Sequence, residues 1–337
     1  MLILAIETSC DETAISIVKA TGKKIPKFEV LENSISSQIK IHRPFGGVVP
    51  SLAKREHIKN LPIVLRRTLG KNYAMKDIDL IAVTSGPGLE PALWTGINFA
   101  EELAEKYKKP LLGVNHLEGH MYSPLIGLNA RSIYPAVGLI ISGGHTIIVI
   151  QKTLTSWEKI GETRDDAIGE AYDKVARLLK LPYPGGPEIE KMALKGNGDA
   201  INFPRPMINS KNYDFSFSGL KTAILYYLRD NPKYNRADVA ASFQKAAIET
   251  IVKKATRGAV DYKAKTIYIG GGVAANIALR TLLKNEAKKI KVKFLIPGKG
   301  LSTDNGAMIA VAAYINLINN KSHPSNTKLE ADSNLNL

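Results

Sequence analysis

The segment LILAIETSCDETAISIVKA, residues 2–20, predicts a strand, a polar turn and a second strand, and AVGLIISGGHTIIVI, residues 136–150, predicts the same arrangement again. In each copy an apolar run ends at a turn of hydroxyl-bearing or small residues, Glu7-Thr8-Ser9 in the first and Ser142-Gly143-Gly144 in the second. Self-similarity in the same order along the chain indicates a duplicated architecture.

A strand, a glycine-containing turn and a helix also occur twice. Residues 78–83 lead through Gly86-Pro87-Gly88 to a predicted helix near 93–107, and residues 266–269 lead through Gly270-Gly271-Gly272 to one near 276–288. Two α/β halves with facing polar turns form a cleft whose backbone N–H groups suit phosphate oxygens. We therefore predict the two-lobed actin-like ATPase fold of actin, sugar kinases and heat-shock chaperones.

The domain organisation follows from these repeats and from the prolines and glycine that lie between them, at positions 110, 124, 127 and 135. We expect a first lobe over residues 1–115, a second lobe over 116–320 and a frayed polar tail over 321–337. Between the repeated elements of the second lobe lies a helical insertion, at about 161–263, that prolines interrupt.

Composition excludes several classes of protein. The 337 residues carry 46 Lys and Arg against 31 Asp and Glu, a formal charge of +15, and a single cysteine. One cysteine allows no intrachain disulfide and no CxxC metal framework, which favours a reducing cytoplasm. No apolar run of about 18 residues and no leader pattern occurs, so we expect no membrane anchoring. The basic excess suits a nucleic acid, although lysine-rich surfaces also occur in heat-adapted proteins.

Other nucleotide signatures are weak or absent. The chain has no GxxxxGK[ST] loop, and the glycines at 270–272 lack the acidic residue that a dinucleotide site needs about 20 residues later. This argues against a dehydrogenase. Asn276, at a predicted helix start, either contacts a nucleoside or caps the helix.

The segment His116-Leu117-Glu118-Gly119-His120 carries the most specific local signal. Imidazoles at i and i+4 share one helix face and can bind a single divalent metal ion, although contacts within the helix can also satisfy such a pair. Asp304 is the best third ligand by residue type; its alternative role is a helix N-cap, for which Asn305 competes. Glu118 lies on the opposite helix face, unlike the base of an HExxH metalloprotease, so a protease is disfavoured.

Two acidic groups remain. On a predicted helix, Asp166, Glu170 and Asp173 share one face, either as a ligand site or as a solvated surface. Asp11 and Glu12 lie in the first hairpin turn, where two carboxylates beside a phosphate site suggest a catalytic or orienting role rather than turn formation alone.

Long blocks of this sequence, in order, resemble the TsaD family of tRNA threonylcarbamoyltransferases, the bacterial relatives of the Kae-type proteins. The blocks include IETSCDET at 6–13, NHLEGH at 115–120, ISGGHT at 141–146, YPGGPEIEK at 183–191 and TDNGAM at 303–308. Archaeal relatives have a tyrosine where this chain has Ile140, which aligns the chain with the bacterial branch.

The resemblance implies transfer of a threonylcarbamoyl group from threonylcarbamoyl-AMP to N6 of adenosine 37 in tRNAs that read codons beginning with A, releasing AMP. It implies one divalent metal ion per subunit, Fe²⁺ or else Zn²⁺, held by His116, His120 and Asp304, with Asp11 and Glu12 as catalytic residues. The residues that would bind the adenylate are Ile140, Ile141, Ser142, Gly143, Gly144, Asp173, Gly186, Glu190 and Asn276. A TsaB-like paralogous subunit and a TsaE-like ATPase are the implied partners besides tRNA.

Two alternatives share this fold: an actin-like ATPase or kinase, and a noncatalytic tRNA-binding subunit. The histidine pair argues against both, since neither needs a metal held by an HxxxH segment. If tRNA binds, the expected contacts are two basic clusters, Lys54, Arg55, Lys59, Arg66 and Arg67 in one and Arg280, Lys284, Lys288 and Lys289 in the other.

Overall fold

The computed structural model describes residues 1–128, 133–324 and 328–337, and the chain divides into two compact units. Unit 1 comprises Met1–Arg131 and Pro297–Leu337, and unit 2 comprises Ser132–Ile296. Unit 1 extends past residue 115, where we expected the first lobe to end. The chain also returns to unit 1 after Ile296 and packs its last helix there.

Within the described residues, unit 1 contains a five-stranded sheet and five α-helices. Its strands are β1 (Leu2–Glu7), β2 (Glu12–Thr21), β3 (Lys27–Ser37), β4 (Leu80–Gly86) and β5 (Leu111–Asn115). Its helices are α1 (Ile39–His42), α2 (Pro50–Leu69), α3 (Glu90–Tyr107), α4 (His116–Tyr122) and α10 (Gly306–Ile318). Proline in the first turn of α2 and α3 lacks only an N–H that would have had no helical partner.

Among the residues that the structure describes, unit 2 contains a second five-stranded sheet and five α-helices. Its strands are β6 (Ala136–Ile141), β7 (Thr146–Gln151), β8 (Trp157–Glu162), β9 (Thr266–Gly270) and β10 (Lys293–Leu295). Its helices are α5 (Ile168–Leu178), α6 (Gly185–Ala193), α7 (Ser218–Asp230), α8 (Arg236–Asp261) and α9 (Ile277–Lys289). Helices α5 to α8 form the insertion that the sequence predicts.

The two sheets have the same topology. Their strand orders are β3-β2-β1-β4-β5 and β10-β9-β6-β7-β8, which are equivalent when one is read in reverse. In each, the first two pairings along the chain are antiparallel, and the last two strands join in parallel. The duplication predicted from the two hairpins is confirmed.

Apolar side chains of the central strands form a separate core in each unit. In unit 1, Leu4, Ile6 and Ile15 pack with helices α2 and α3, and in unit 2, Val137 and Leu139 pack with the helices of the insertion. Helix α10 is apolar around its whole circumference, and residues 306–316 are all buried. A helix of this kind is stable only when packed on every side, and it explains the return of the chain to unit 1.

Two sequence predictions about local structure are wrong. Asp166 lies before α5 rather than on it, and its carboxylate pairs with Lys174 and Lys221 at 2.8 and 3.1 Å. Glu170 also pairs with Lys174, at 2.7 Å, so these acids are neutralised. The tail is not frayed over residues 328–337: the Asp332 N–H donates to the Ser85 carbonyl at 2.8 Å. Residues 325–327 lie outside the described residues.

Among residues 1–128, 133–324 and 328–337, no helix has both the length and the apolar composition needed to cross a membrane.

Candidate functional site

Helix α4 carries the two histidines of the HLEGH segment and begins directly after strand β5. The Asn115 side chain caps it, accepting from the N–H groups of Leu117 and Glu118 at 2.8 and 3.3 Å. Every residue of the helix is buried. The i, i+4 spacing places His116 and His120 on one face, with ring centroids 4.6 Å apart.

Asp304 reaches the same place from the loop before α10. Asn305, not Asp304, is the N-cap of α10, and its Oδ1 accepts from the Met308 N–H at 3.0 Å. A Cβ on Gly306 would lie 2.7 Å from both the Ala5 carbonyl oxygen and the Ser16 backbone nitrogen, so the start of α10 packs closely on β1 and β2. The capping alternative for Asp304 is thereby removed, and its carboxylate lies beside the two histidines.

These three side chains form a cluster that can hold one metal ion. The Asp304 Oδ1 atom lies 3.6 Å from Nε2 of His116 and 3.1 Å from Nε2 of His120. One ligand atom from each residue lies within 4.8 Å of the others. Ligand atoms about 2 Å from a common ion are separated by about 3 to 3.5 Å in tetrahedral or octahedral geometry; the His120–Asp304 distance falls in this range and the His116–Asp304 distance lies just above it.

Glu7, the last residue of β1, orients the first histidine. Its fully buried carboxylate accepts from His116 Nδ1 at 2.8 Å, from the Thr84 hydroxyl at 2.7 Å and from the Ser9 N–H at 2.5 Å. With Nδ1–H donated to this carboxylate, Nε2 is the ring nitrogen left to bind a metal ion beside Asp304. A carboxylate behind a ligating histidine is the usual second layer of a metal site.

His120 supplies the test of whether a metal ion fits here. The side chain is completely buried, and neither ring nitrogen makes a hydrogen bond within the described part of the chain: Nε2 lies 3.1 Å from Asp304 Oδ1, but without hydrogen-bond geometry. Burying an imidazole nitrogen without a hydrogen-bond partner is costly, whereas a metal ion bound at Nε2 would satisfy it. The donor set and this unsatisfied nitrogen both fit a bound cation.

The electrostatics of unit 1 favour positive charge at this cluster. Burial alone would lower the pKa of His116, but Glu7 and Asp304 outweigh it and raise that pKa to about 9. Burial, Asp304 and Asp11 together raise the pKa of Glu12 well above its usual range. Burial, followed by the charges of Asp11 and Asp304, raises the pKa of the Cys10 thiol in the same way.

Asp11 lies in the turn between β1 and β2, as predicted, whereas Glu12 is the first residue of β2 and pairs with Ser37 of β3. Asp11 is buried, and its backbone carbonyl accepts from the Gln38 N–H at 2.9 Å, which ties the turn to the end of β3. Glu118 points away from the cluster: its Oε2 accepts from the Asn316 amide on α10 at 2.6 Å. The disposition that argued against a protease base is therefore observed.

In unit 2, the turn after β6 offers backbone rather than side chains. The Ile140 and Ile141 side chains are fully buried, so these residues can offer a ligand only their main chain. The Ser142 N–H donates to the His145 carbonyl at 2.9 Å and closes the turn. Gly143 and Gly144 are exposed, and a Cβ built on either would meet nothing within 4 Å.

The remaining predicted adenylate residues join the helices around that turn. Asp173 Oδ1 accepts from the Gly185 N–H at 2.6 Å, next to Gly186, and Glu190 Oε1 accepts from the Ile277 N–H at 2.6 Å. Asn276 is the N-cap of α9, accepting from the Leu279 N–H at 2.8 Å and donating to Gln244 at 2.9 Å. Its capping role is therefore real, and its predicted contact with a nucleoside stays a prediction.

Close packing brings these segments to one edge of the unit 2 sheet. A Cβ on Gly169, in the first turn of α5, would overlap the Ser142 carbonyl oxygen, and one on Gly271 would overlap that of Ile141. The turn at 142–144, the start of α5 and the loop at 271–276 are thus neighbours at the carboxyl end of β6 and β9.

Sequence reasoning missed Glu7 and Thr84. Glu7 is a single acidic residue that ends an otherwise apolar strand, and Thr84 is the first hydroxyl on the neighbouring strand β4. A carboxylate that a buried strand carries to its end needs partners, since burying an unpaired charge is prohibitive. That cost was the signal available in the sequence.

Comparison with known proteins agrees with these features. The sequence model of the family TsaD, tRNA N6-adenosine threonylcarbamoyltransferase, matches residues 29–311. A protein of that name from Thermosipho africanus is 48% identical over 338 residues, covering 99% of both chains. Another of that name, from Clostridium perfringens, is 49% identical and covers 100% of this chain and 98% of its own.

Solved structures agree on the fold. HypF of T. kodakarensis matches with a TM-score of 0.60 at 15% identity, over 95% of this chain and 47% of that one. Component A of (R)-2-hydroxyglutaryl-CoA dehydratase from Acidaminococcus fermentans matches with a TM-score of 0.56 at 13% identity, over 95% and 98%. The predicted actin-like fold class is confirmed. A family model that spans most of the sequence and relatives that align end to end lead to one conclusion: this chain belongs to the TsaD family of tRNA N6-adenosine threonylcarbamoyltransferases.

Proposed function

We propose that this chain transfers the threonylcarbamoyl group of threonylcarbamoyl-AMP to N6 of adenosine 37 in tRNAs that read codons beginning with A. The observation that carries the proposal is the cluster of the buried His116 and His120 with the half-buried Asp304, with Glu7 behind the first histidine, in a chain of this family. An ATPase or kinase of this fold needs no such donor set.

The cluster is proposed to hold Fe²⁺, with Zn²⁺ as the alternative. Two imidazoles and one carboxylate with open coordination positions are typical of non-haem Fe²⁺ sites and also occur with catalytic zinc. When bound, the ion supplies a Lewis acid that polarises an oxygen of the substrate. Glu7 keeps the Nδ1 proton of His116 in place, so that Nε2 stays the ligand atom.

The transfer itself needs orientation more than activation. The N6 nitrogen attacks the carbamoyl carbonyl carbon, a C–N bond forms, the C–O bond to the phosphate breaks, and AMP leaves with the electron pair. The proton that N6 loses needs an acceptor. Asp11 and Glu12 are proposed to position the amine and to take this proton; the raised pKa of Glu12, caused by burial and then by Asp304, suits a carboxylate that exchanges protons.

Unit 2 is proposed to bind the adenylate. The Ser142–Gly144 turn would present backbone N–H groups to phosphate oxygens, and main-chain atoms of Ile140 and Ile141 would extend that contact. Asp173, Gly186, Glu190 and Asn276 would contact the rest of the nucleotide. Glu190 and Asn276 each already accept one hydrogen bond from the start of helix α9, so a nucleotide would be bound by their remaining polar groups.

The family acts on tRNA, and the more specific partners remain proposals. A TsaB-like paralogous subunit and a TsaE-like ATPase are proposed to work with this chain in the cytoplasm. Each can be supplied or withheld in the assay that tests the function.

That assay combines the purified chain and its partner subunits with a tRNA transcript, threonine, bicarbonate, ATP and the adenylate-forming enzyme. Digestion of the tRNA and mass spectrometry of the nucleosides should show threonylcarbamoyladenosine, placed at position 37 by fragment analysis. An established family member in a parallel mixture serves as the positive control. If the control makes product and this chain does not, the proposal fails; phosphate released from ATP by this chain alone, without tRNA, would support the ATPase alternative.

Asp11→Ala separates catalysis from folding in this assay. The carboxylate lies in a turn, and the contact that ties the turn to β3 uses the Asp11 backbone carbonyl, which alanine keeps. We expect the melting temperature to stay nearly unchanged and the transfer rate to fall by at least about tenfold. Activity within a few-fold of the parent would show that the turn acids are structural.

A further inference from the structure

A lysine-lined cavity lies in unit 2, away from the candidate adenylate residues. Its volume is about 580 Å³, and its lining includes the apolar residues Val260 and Ile290. Four lysines line it, and all four are exposed: Lys263, Lys265, Lys291 and Lys293. We call these four residues and the cavity they surround the lysine pocket.

Two copies of one local motif build this pocket. Helix α8 is followed by Lys263-Ala264-Lys265 and strand β9, and helix α9 is followed by Lys291-Val292-Lys293 and strand β10. In both copies the first lysine has a left-handed backbone, with φ of 50° and 58°. Strands β9 and β10 pair in parallel, so the two KxK segments lie side by side, joined by the Lys293 N–H donating to the Lys265 carbonyl at 3.0 Å.

The pocket has an excess of positive charge. Among the residues that the structure describes, Lys263, Lys265 and Lys291 form no ion pair. Of the nearby acids, Glu286 pairs with Lys289 at 2.6 Å, and Asp261, whose carboxylate accepts from the neutral Tyr213 hydroxyl at 2.5 Å, keeps its negative charge and offsets one lysine. The carboxyl ends of α8 and α9 contribute about half a negative charge each, which offsets roughly one more of the four lysines.

The corresponding corner of unit 1 is not built this way. Lys108 follows α3 with the same left-handed backbone, φ 51°, and is the topological counterpart of Lys291. The strand next to it, β4, is preceded by acids instead of lysines: Asp77 accepts from the Ala74 N–H at 2.9 Å and Asp79 from the Leu2 N–H at 2.7 Å. A lysine after a helix is therefore ordinary in this chain, and the doubled motif is what distinguishes unit 2.

We infer that the lysine pocket docks the sugar–phosphate backbone of tRNA, an inference that rests on the proposed function. The pocket lies at the amino end of β9, and the turn at 270–276 lies at its carboxyl end. Five residues at about 3.3 Å each separate the two ends by about 16 Å, which is too far for one nucleotide to contact both. A polynucleotide can span that distance, and exposed Val260 offers an apolar surface to a ribose.

The inference changes the expected RNA surface. On α9, Arg280 donates from Nε to the Ala274 carbonyl at 2.5 Å, and Lys289 pairs with Glu286, so half of the basic stripe predicted there is already engaged. Lys288 lies two residues before the pocket begins at Ile290. The docking surface is therefore centred on the end of α9 rather than along it.

A glycine pair tests the inference without straining the fold. Lys263→Gly with Lys291→Gly removes two charges at positions whose backbone glycine adopts freely. The matched control is Lys108→Gly with Lys180→Gly, because both residues are exposed lysines with φ of 51° and 55° and lie outside the pocket. Both double variants lose the same charge in the same backbone conformation, and thermal melting verifies that each remains folded.

The measurement is equilibrium binding of an unmodified tRNA transcript to the full chain, with and without its partner subunits, over a range of KCl concentrations. The pocket variant should bind on the order of tenfold more weakly, and its plot of log K against log salt should flatten by about one to two units. The control should match the parent in both respects. Equal affinities and slopes for parent, pocket variant and control, in both preparations, would overturn the inference.

Two further arms separate the inference from its neighbours. In the modification assay, the pocket variant should raise KM for tRNA while leaving kcat and KM for the adenylate unchanged; if the parent makes no product, the proposed function fails but the binding result still decides the inference. Thermal stabilisation of the parent by inorganic phosphate, absent from the pocket variant and accompanied by unchanged tRNA affinity, would assign the pocket to a free anion and overturn RNA docking.

Discussion

The two units share one strand topology yet fill the end of their central strand differently. Strand β1 ends in Glu7 and strand β6 ends in Ile141, and both side chains are fully buried. In unit 1 that position carries a carboxylate with three hydrogen-bond donors, whereas in unit 2 it carries an apolar side chain that joins the core. One scaffold thus supports a cluster built from side chains in unit 1 and a turn that offers its backbone in unit 2.

Glycines show the same contrast. A Cβ on Gly96 of α3 would overlap the Thr8 hydroxyl, and one on Gly306 would meet the backbone of β1 and β2. In unit 2, a Cβ on Gly143 or Gly144 of the turn after β6, or on Gly186 in the first turn of α6, would meet nothing within 4 Å. The space at the end of the unit 1 sheet is already occupied, while the unit 2 turn leaves room for a ligand to approach the main chain.

The largest difference between the two units should appear when a proposed metal-binding side chain is removed from unit 1. His116→Ala should reduce bound metal from about one ion per chain to background, because two remaining donors rarely retain a divalent ion. Elemental analysis of anaerobically purified protein measures this, and transfer activity should fall by at least about a hundredfold. His323→Ala, which removes an exposed histidine, is the control. Unchanged metal content in His116→Ala would remove the assignment of the cluster.

A smaller change tests whether Glu7 belongs to the metal site. In Glu7→Gln, one oxygen becomes an NH₂ group that must face a donor, since both carboxylate oxygens accept hydrogen bonds. Metal affinity, measured by competition with a chelator, should weaken by about 10- to 100-fold. Glu118→Gln alters the acid of helix α4, which bonds to Asn316 away from the cluster, and should leave the affinity unchanged. Equal affinities in both variants would make Glu7 merely structural.

Adding one methyl group to each unit compares their packing directly. Gly96→Ala forces a methyl group onto Thr8, which is held because its hydroxyl donates to the Ala92 carbonyl at 3.0 Å. Overpacking of this kind lowers the free energy of unfolding by about 1–3 kcal/mol. Replacing glycine by alanine within a helix raises it by roughly 1 kcal/mol, which offsets only part of that loss. Gly144→Ala should change the free energy of unfolding by less than about 0.5 kcal/mol, yet weaken binding of AMP. Urea denaturation and calorimetric titration measure the two effects, and equal destabilisation by both variants would contradict the contrast.

Local patterns in the sequence predicted the parts of the molecule that depend on neighbouring residues. Alternating strands and glycine turns gave the duplicated sheets, and the i, i+4 spacing in HLEGH gave the face that His116 and His120 share. Asp304 was selected by residue type, and only the structure excluded its role as a helix cap, because that role depends on which residue of Asp304-Asn305 bonds to the Met308 N–H.

Features that depend on contacts distant in sequence were not predicted. Glu7 meets His116 across 109 residues, and nothing near Glu7 in the chain indicates that partner. The polar composition of residues 321–337 suggested a frayed tail, but residues 328–337 are fixed by contacts with residues more than 200 positions earlier, including the Asn115 amide donating to the Asn336 carbonyl at 2.9 Å. The composition of a segment indicates how well its side chains are solvated by water. It does not indicate which distant residues the segment hydrogen-bonds.

That tail provides the smallest test, since it packs on unit 1. Leu329 packs against the unit 1 core, and its N–H donates to Glu101 on α3 at 2.8 Å. Leu329→Ala keeps that hydrogen bond and removes only the half-buried side chain, so it should cost about 1–2 kcal/mol, less than a fully buried leucine. Leu194→Ala, which truncates a leucine that is 84% exposed in unit 2, is the matched control and should be nearly neutral.

Amide hydrogen exchange locates the effect of Leu329→Ala. Exchange should accelerate in β4, β5 and α3 of unit 1 and stay at the parent rate in β6 and β9, because the contacts of the tail described here are all with unit 1. The start of α4 should also exchange faster, since Asn115 both caps that helix and donates to the tail. If Leu329→Ala matches Leu194→Ala in stability and exchange, the tail lies on unit 1 without stabilising it, and the start of helix α4 depends on its Asn115 cap alone.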